Sequence, residues 1–248
     1  MNLLTSTLRA TRLLASLLSL VVTCGSWTNS AVGSRLPVLP QRARAARIPN
    51  LPDVQRQVEE YVSSGRYDRD VAKVVASARK WLDQRVRSAV KPAIVLDIDE
   101  TSLSNWPAYR INGWARITNG PCDLQKGPCG VRSWQAMAQS KAIAPTLALA
   151  RHAHELGVAI FFITGRPARL QEATERNLKE QGFEWTAVIL KPDDTTLPSV
   201  ADFKVPERRK ITEQGYTIIL NLGDQESDLK GGYAERTFKL PNPVYFVR

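Results

Sequence analysis

The sequence predicts an α/β fold: a mainly parallel sheet with helices on both faces, a small insertion over one edge of it, and a helical arm in front. Three observations carry this. From Pro92 onward, strand-length apolar runs alternate with helical segments. The runs AIVLDI, VAIFFIT, AVILK and TIILNLG are apolar at nearly every position, as strands buried on both faces are. Aspartate or threonine ends three of those runs, at the carboxyl edge where such sheets bind ligands. The 248 residues, 43% hydrophobic and 23% charged, suit one substantial globular core and exclude a disordered or fibrous chain.

Residues 1–31 read as a secretory signal. MNLLTSTLRATR is basic and acid-free and leads into LLASLLSLVV, with cleavage expected near residues 24–31. The apolar run is short for a bilayer span, although the uncharged stretch Leu13 to Ser34 leaves an uncleaved anchor open. Val21-Val22-Thr23-Cys24 resembles a lipobox and departs from it at Thr23. The chain is expected to be exported, to the periplasm, the outer membrane or outside the cell, with lipidation of Cys24 left open as a membrane attachment.

Residues 32–50 form a basic Pro/Arg linker. The first fifty residues hold six Arg and no acid; removing those six from the 34 basic residues leaves 28 against 24 acidic ones. The net charge of +10 thus belongs largely to the leader and linker, and a nucleic-acid polymer is not an expected partner. Residues 51–91 read as a helical arm of two segments split near SSGRY, with Val71, Val75, Ala78 and Leu82 at helical steps.

The core, residues 92–248, follows as strand AIVLDI, a helix over 133–156, strand VAIFFIT, a helix over 168–181, strand AVILK, a helix over 206–214, strand TIILNLG and a last strand, PVYFV. The stretch 102–132, with Trp106, Tyr109, Trp114 and little periodicity, breaks this rhythm and is expected to be an insertion lying over the strand ends. Within it, Cys122 and Cys129 suit a disulfide in an exported chain, with two free thiols as the alternative. His152 and His154 lie two apart, on different helix faces, and are not expected to bind metal.

Asp97 and Asp99 end the first core strand, Thr164 follows the second in FFITGRP, and Asp224 and Asp228 follow the fourth in NLGDQESDL. Lys204, in DFKVPERR, lies 20 residues before Asp224. Each of these alone is a common cap or turn residue. Their order resembles the four motifs of the haloacid dehalogenase (HAD) superfamily of phosphoryl-transfer enzymes: DIDET, ITGR, an isolated lysine, then GDQESD. ITGRPARLQEATERNLKEQGF and NLGDQESDL followed by RTFKLPNPVYF are similar to its subfamily IIIB, class B-like acid phosphatases. That branch includes plant vegetative storage proteins and bacterial outer-membrane lipoprotein phosphatases; the resemblance covers Ile94 to Val247.

The resemblance implies a Rossmann-like core, Mg²⁺ as cofactor and a small-molecule phosphomonoester as substrate. Asp97 would attack phosphorus and Asp99 would manage the proton. Thr164, Gly165 and Lys204 would hold phosphate, with Lys210 as a rival lysine. Asp97, Asp224 and Asp228, with the Asp99 backbone carbonyl, would surround the metal. Trp106, Tyr109, Trp114 and Trp134 are candidates for stacking on a leaving group, or plain packing residues. A phosphotransferase, or a storage protein that has lost its chemistry, would carry the same fold.

Overall fold

A computed structural model describes residues 48–194 and 196–247. The signal segment, Cys24 and the linker up to Arg47 lie outside them. Helix α1 (Leu51–Ser63) starts on Pro52, whose missing N–H falls where no helical partner exists. Helix α2 (Arg66–Arg85) follows after Gly65, at φ +69°, a left-handed conformation that glycine adopts freely. This turn is the split expected near SSGRY.

The sheet strands are β1 (Pro92–Leu96), β4 (Ala159–Pro167), β5 (Ala187–Lys191), β6 (Thr217–Gly223) and β7 (Thr237–Lys239), in the order β5-β4-β1-β6-β7. Every neighbouring pair is parallel. A separate antiparallel pair, β2 (Leu103–Ser104) and β3 (Lys141–Ala142), sits beside it. The remaining helices are α3 (Trp106–Ile111), α4 (Val131–Met137), α5 (Ala144–Glu155), α6 (Gln171–Glu180), α7 (Ala201–Glu213) and α8 (Glu226–Leu229), with a 3₁₀ turn at Ala168–Leu170.

Alternate residues of the strands feed two separate cores. Ile94, Leu96, Ile160, Phe162 and Leu222 pack with Tyr67, Val71, Val75 and Leu82 of α2 and Leu149 and Ala153 of α5. Ala93, Val95, Phe161, Ile163 and Ile218 pack with Phe203 and Ile211 of α7. Side chains alternate across a pleated strand, so a run apolar at every position can only be satisfied between two helical layers. The expected arm is thus one of these layers, because α2 buries its whole apolar stripe on the sheet.

Three elements differ from expectation. The helix over 133–156 is two helices, α4 and α5. Ala138 turns the chain through φ +57°, Asn177 bonds both Ser140 N–H and Ser140 C=O, and Pro145 opens α5. The last strand is Thr237–Lys239 rather than PVYFV, since Pro241 and Pro243 lack the N–H groups a ladder needs. Helix α7 begins at Ala201, so Lys204 lies in its first turns instead of before it.

The insertion contains α3 and a loop closed by the Cys122–Cys129 disulfide. Its two arms are joined by backbone bonds from Val131 N–H to Ile117 C=O and from Arg132 N–H to Thr118 C=O.

Candidate active site

Strand β1 delivers Asp97 to the carboxyl edge, where its N–H still donates to Leu222 C=O of β6 at 3.0 Å. One strand over, β6 ends on Gly223 and Asp224. A Cβ on Gly223 would lie 2.4 Å from Cβ of Asp228, so the absence of a side chain there lets Asp228 fold back beneath the strand end. Asp228 is held by the first turn of α8, accepting the Gln225 N–H at 2.9 Å.

Carboxylate oxygens of Asp97, Asp224 and Asp228 lie within 4.8 Å of one another, and all three residues are buried. Lys204, 2% exposed, reaches in from α7 and donates to Asp97 Oδ1 and, at 2.7 Å, to Asp228 Oδ1. Burial pushes the Asp97 carboxyl up, Asp228 adds to this, and Lys204 opposes it. Asp224 is pushed up to about 7, first by burial and then by Asp228 and Glu100. Burial works against the charge on Lys204, but Asp228 and Asp97 outweigh it and raise its pKa. One ammonium facing three carboxylates leaves a surplus of negative charge. An all-oxygen, carboxylate-rich donor set of this kind fits a hard divalent cation.

Asp224 is fixed from three sides: it accepts from Thr101 Oγ1 at 3.2 Å, Gln225 Nε2 at 2.6 Å and Asn242 Nδ2 at 2.7 Å. The last donor, Asn242, immediately precedes the C-terminal PVYFV run. That segment crosses the site, and Tyr245 Oη donates to buried Glu100 at 2.8 Å. Glu100 also accepts from Asn105 N–H at 2.7 Å and Tyr109 Oη at 3.1 Å.

Asp99 has a different setting. Its carboxylate accepts from Arg166 Nη2 at 2.7 Å, Asn105 Nδ2 at 2.8 Å and Gln135 Nε2 at 3.0 Å. Burial alone would raise its pKa, but Arg166, then Asn105 and Arg132, more than offset this and hold it down to about 2. Its side chain stands outside the three-carboxylate cluster.

Arg166 is fully buried, and removing it would leave the partly buried Asp99 without its cation. Arg166→Ala should lower the unfolding free energy by about 3 kcal/mol, read from urea denaturation. Because the Asp99 pKa is depressed, this contribution is complete above the unperturbed value of 3.8 and is lost as pH falls towards about 2. Wild-type and variant stabilities should therefore converge there; a constant gap would contradict the pairing.

Asp97, Asp99, Gly165, Lys204, Asp224 and Asp228 line one cavity of about 90 Å³. Thr164 is buried behind it, its hydroxyl accepting the Arg166 N–H at 3.2 Å. Lys210, the rival lysine, is exposed and pairs with Glu207. The four aromatic candidates are not on the cavity wall. Trp106, Tyr109 and Trp114 stack edge-on among themselves and with Tyr67, and Trp134 packs on Ala108 and Cys129. The aromatic residue lining the cavity is Tyr245.

Sequence reasoning missed Arg116, Arg132 and Tyr245 on the wall, and Arg166, Gln135, Asn105, Glu100 and Asn242 behind it. Arg166 was within reach, since it follows Thr164 in the quoted ITGR. The two wall arginines carried no signal, because the insertion has no periodicity from which to read a face.

Comparison with known proteins agrees with this geometry. Residues 16–248 match the family model described as HAD superfamily, subfamily IIIB (Acid phosphatase). The chain is 34% identical over 194 residues to the stem 28 kDa glycoprotein of Glycine max, covering 77% of this chain and 73% of that protein. It is 30% identical over 193 residues to acid phosphatase 1 of Solanum lycopersicum, covering 77% and 73%. The class C acid phosphatase from Bacillus anthracis shares the fold at a TM-score of 0.63 and 23% identity, over 79% of this chain and 86% of that one. With the family model spanning nearly the whole chain, and the HAD motif residues gathered at one sheet edge, the protein belongs to the HAD superfamily, subfamily IIIB, the acid phosphatases.

Proposed function

We propose that this acid phosphatase is exported and hydrolyses small phosphomonoesters, nucleotides among them, through a phosphoryl group carried on Asp97. One observation carries the reading: Asp97 sits on the cavity floor beside Lys204 and two further carboxylates, while Asp99, two residues on, is held apart by Arg166. Two neighbouring acids in unlike surroundings can take unlike roles.

In this mechanism an Asp97 oxygen attacks phosphorus, the ester P–O bond breaks, and Asp99 gives its proton to the departing oxygen. Water then attacks phosphorus, Asp99 accepts its proton, the bond from phosphorus to the Asp97 oxygen breaks, and inorganic phosphate leaves with the Asp97 carboxylate restored. Lys204 and the Gly165 backbone amide hold phosphate oxygens throughout. Asp97, Asp224, Asp228 and the Asp99 carbonyl would hold Mg²⁺, which supplies charge neutralisation for the phosphate when bound. A carboxyl held down to about 2 is ionised at neutral pH and has almost no proton to give. An arriving phosphate dianion adds negative charge beside it and raises its proton affinity, which suits work in acid.

Export rests on the basic and apolar leader and on the disulfide. Among the described residues, no helix is long and apolar enough to cross a membrane. A lapsed storage protein is the weaker reading, since Asp97, Asp99, Lys204, Asp224 and Asp228 are all present around one cavity.

The test is release of inorganic phosphate from a panel of phosphomonoesters by the chelated protein, with and without Mg²⁺. Metal-dependent hydrolysis is expected, and an added alcohol acceptor should divert only a minor share of the phosphoryl group. Inactivity across the panel would favour the storage reading, and predominant transfer to the alcohol would favour a phosphotransferase.

A further inference from the structure

Two cations of the cavity wall are left unused by that mechanism. Arg116 and Arg132 come from opposite arms of the insertion, brought together by the 117–131 and 118–132 backbone bonds and by the disulfide beyond them. Each is hydrogen-bonded to neutral groups, although Arg132 also lies within electrostatic reach of the Asp99 carboxylate, which Arg166 already pairs. Arg116 Nη1 donates to Thr118 Oγ1 at 3.0 Å, and its guanidinium lies 5.1 Å from the Tyr245 ring centre. Arg132 Nη1 donates to Gln135 Oε1 at 3.0 Å, and Gln135 in turn donates to Asp99.

The other cations at the site have carboxylate partners: Lys204 has Asp97 and Asp228, and Arg166 has Asp99. Among the described residues, neither Arg116 nor Arg132 has a carboxylate within 4.0 Å. Two guanidinium groups that repel each other at the cavity mouth, Arg132 part-buried and Arg116 exposed, each with most of its donors unspent, are poised for an anion. In the mechanism above the transferred phosphoryl group would already be held by Lys204 and the Gly165 amide, with its charge met by a cation held by the carboxylate cluster. A second anion can therefore come from the leaving group.

We infer that Arg116 and Arg132 form a second anion subsite, which selects phosphomonoesters whose leaving group carries a carboxylate or phosphate of its own. This rests on the phosphatase reading above. Planar guanidinium forks match both anions, and each charge-assisted contact is strong enough to change kcat/KM by about tenfold or more.

The test uses the whole chain and matched ester pairs differing in one anionic group: phosphoglycolate against ethyl phosphate, and para-carboxyphenyl phosphate against phenyl phosphate. Wild type should favour the anionic member of at least one pair by about 10- to 100-fold in kcat/KM. Arg116→Gln and Arg132→Gln should each move that ratio towards one, and Arg132→Lys should retain part of it. A wild-type ratio near one overturns the inference and leaves the phosphatase reading standing. A parallel loss on both members in the variants also overturns it, since the arginines would then be gripping the transferred phosphoryl group. Hydrolysis of no ester overturns the phosphatase reading, and this inference with it.

Discussion

Asp97→Asn will lower kcat/KM by about four orders of magnitude or more while the chain keeps its fold. The loss follows from what the amide cannot do: it has no anionic oxygen to attack phosphorus, and no neighbouring group is placed to replace it. Asp99 is turned into Arg166, Asn105 and Gln135, and Asp224 is clamped by Thr101, Gln225 and Asn242. The fold survives because the substitution removes one of three clustered carboxylates, which relieves repulsion in the metal-free protein, and leaves Lys204 paired with Asp228. Phosphate release and circular dichroism on the same preparation check both halves. Near-normal turnover, or an unfolded variant, would each count against the assignment.

The second large effect is on stability. Lys204→Met keeps the apolar stem packed in α7 but removes the ammonium from between Asp97 and Asp228. Breaking a buried pair by deleting one partner leaves uncompensated charge and costs about 3–5 kcal/mol. In chelator, the urea midpoint should fall accordingly. Saturating Mg²⁺ should restore much of the difference, because a cation that binds only the folded cluster stabilises it by mass action. If chelated Lys204→Met unfolds like wild type, or if Mg²⁺ leaves it unchanged, the carboxylates do not act as one charged unit.

The layered sheet was legible because its strands are apolar on both faces, and that pattern has one economical solution. Asp97, Asp224 and Asp228 were legible as a group because strands that run parallel end at the same edge. What escaped was set by contacts between segments distant in sequence. Asn242 meets Asp224, and Tyr245 meets Glu100, only after the C-terminal chain leaves β7 and crosses the strand ends. The expectation of a strand at PVYFV weighed β-forming residues above the two prolines that deny it a ladder. Trp106, Tyr109 and Trp114 read in the sequence as stacking candidates or packing residues, and the choice depends on a distant contact: Trp106 meets Tyr109 and Trp114 edge-on and also Tyr67, which joins the insertion to α2. Arg116 and Arg132 are paired by the loop that the disulfide closes, a relation no periodicity announces.

The identity of Asp97 as the residue that carries the phosphoryl group is open to direct measurement. Protein mixed briefly with a radiolabelled phosphomonoester and Mg²⁺, quenched in acid and digested, should yield label on the peptide containing Asp97, and none from Asp97→Asn. Hydrolysis that proceeds with no labelled protein, or with the label on a peptide lacking Asp97, would contradict the account.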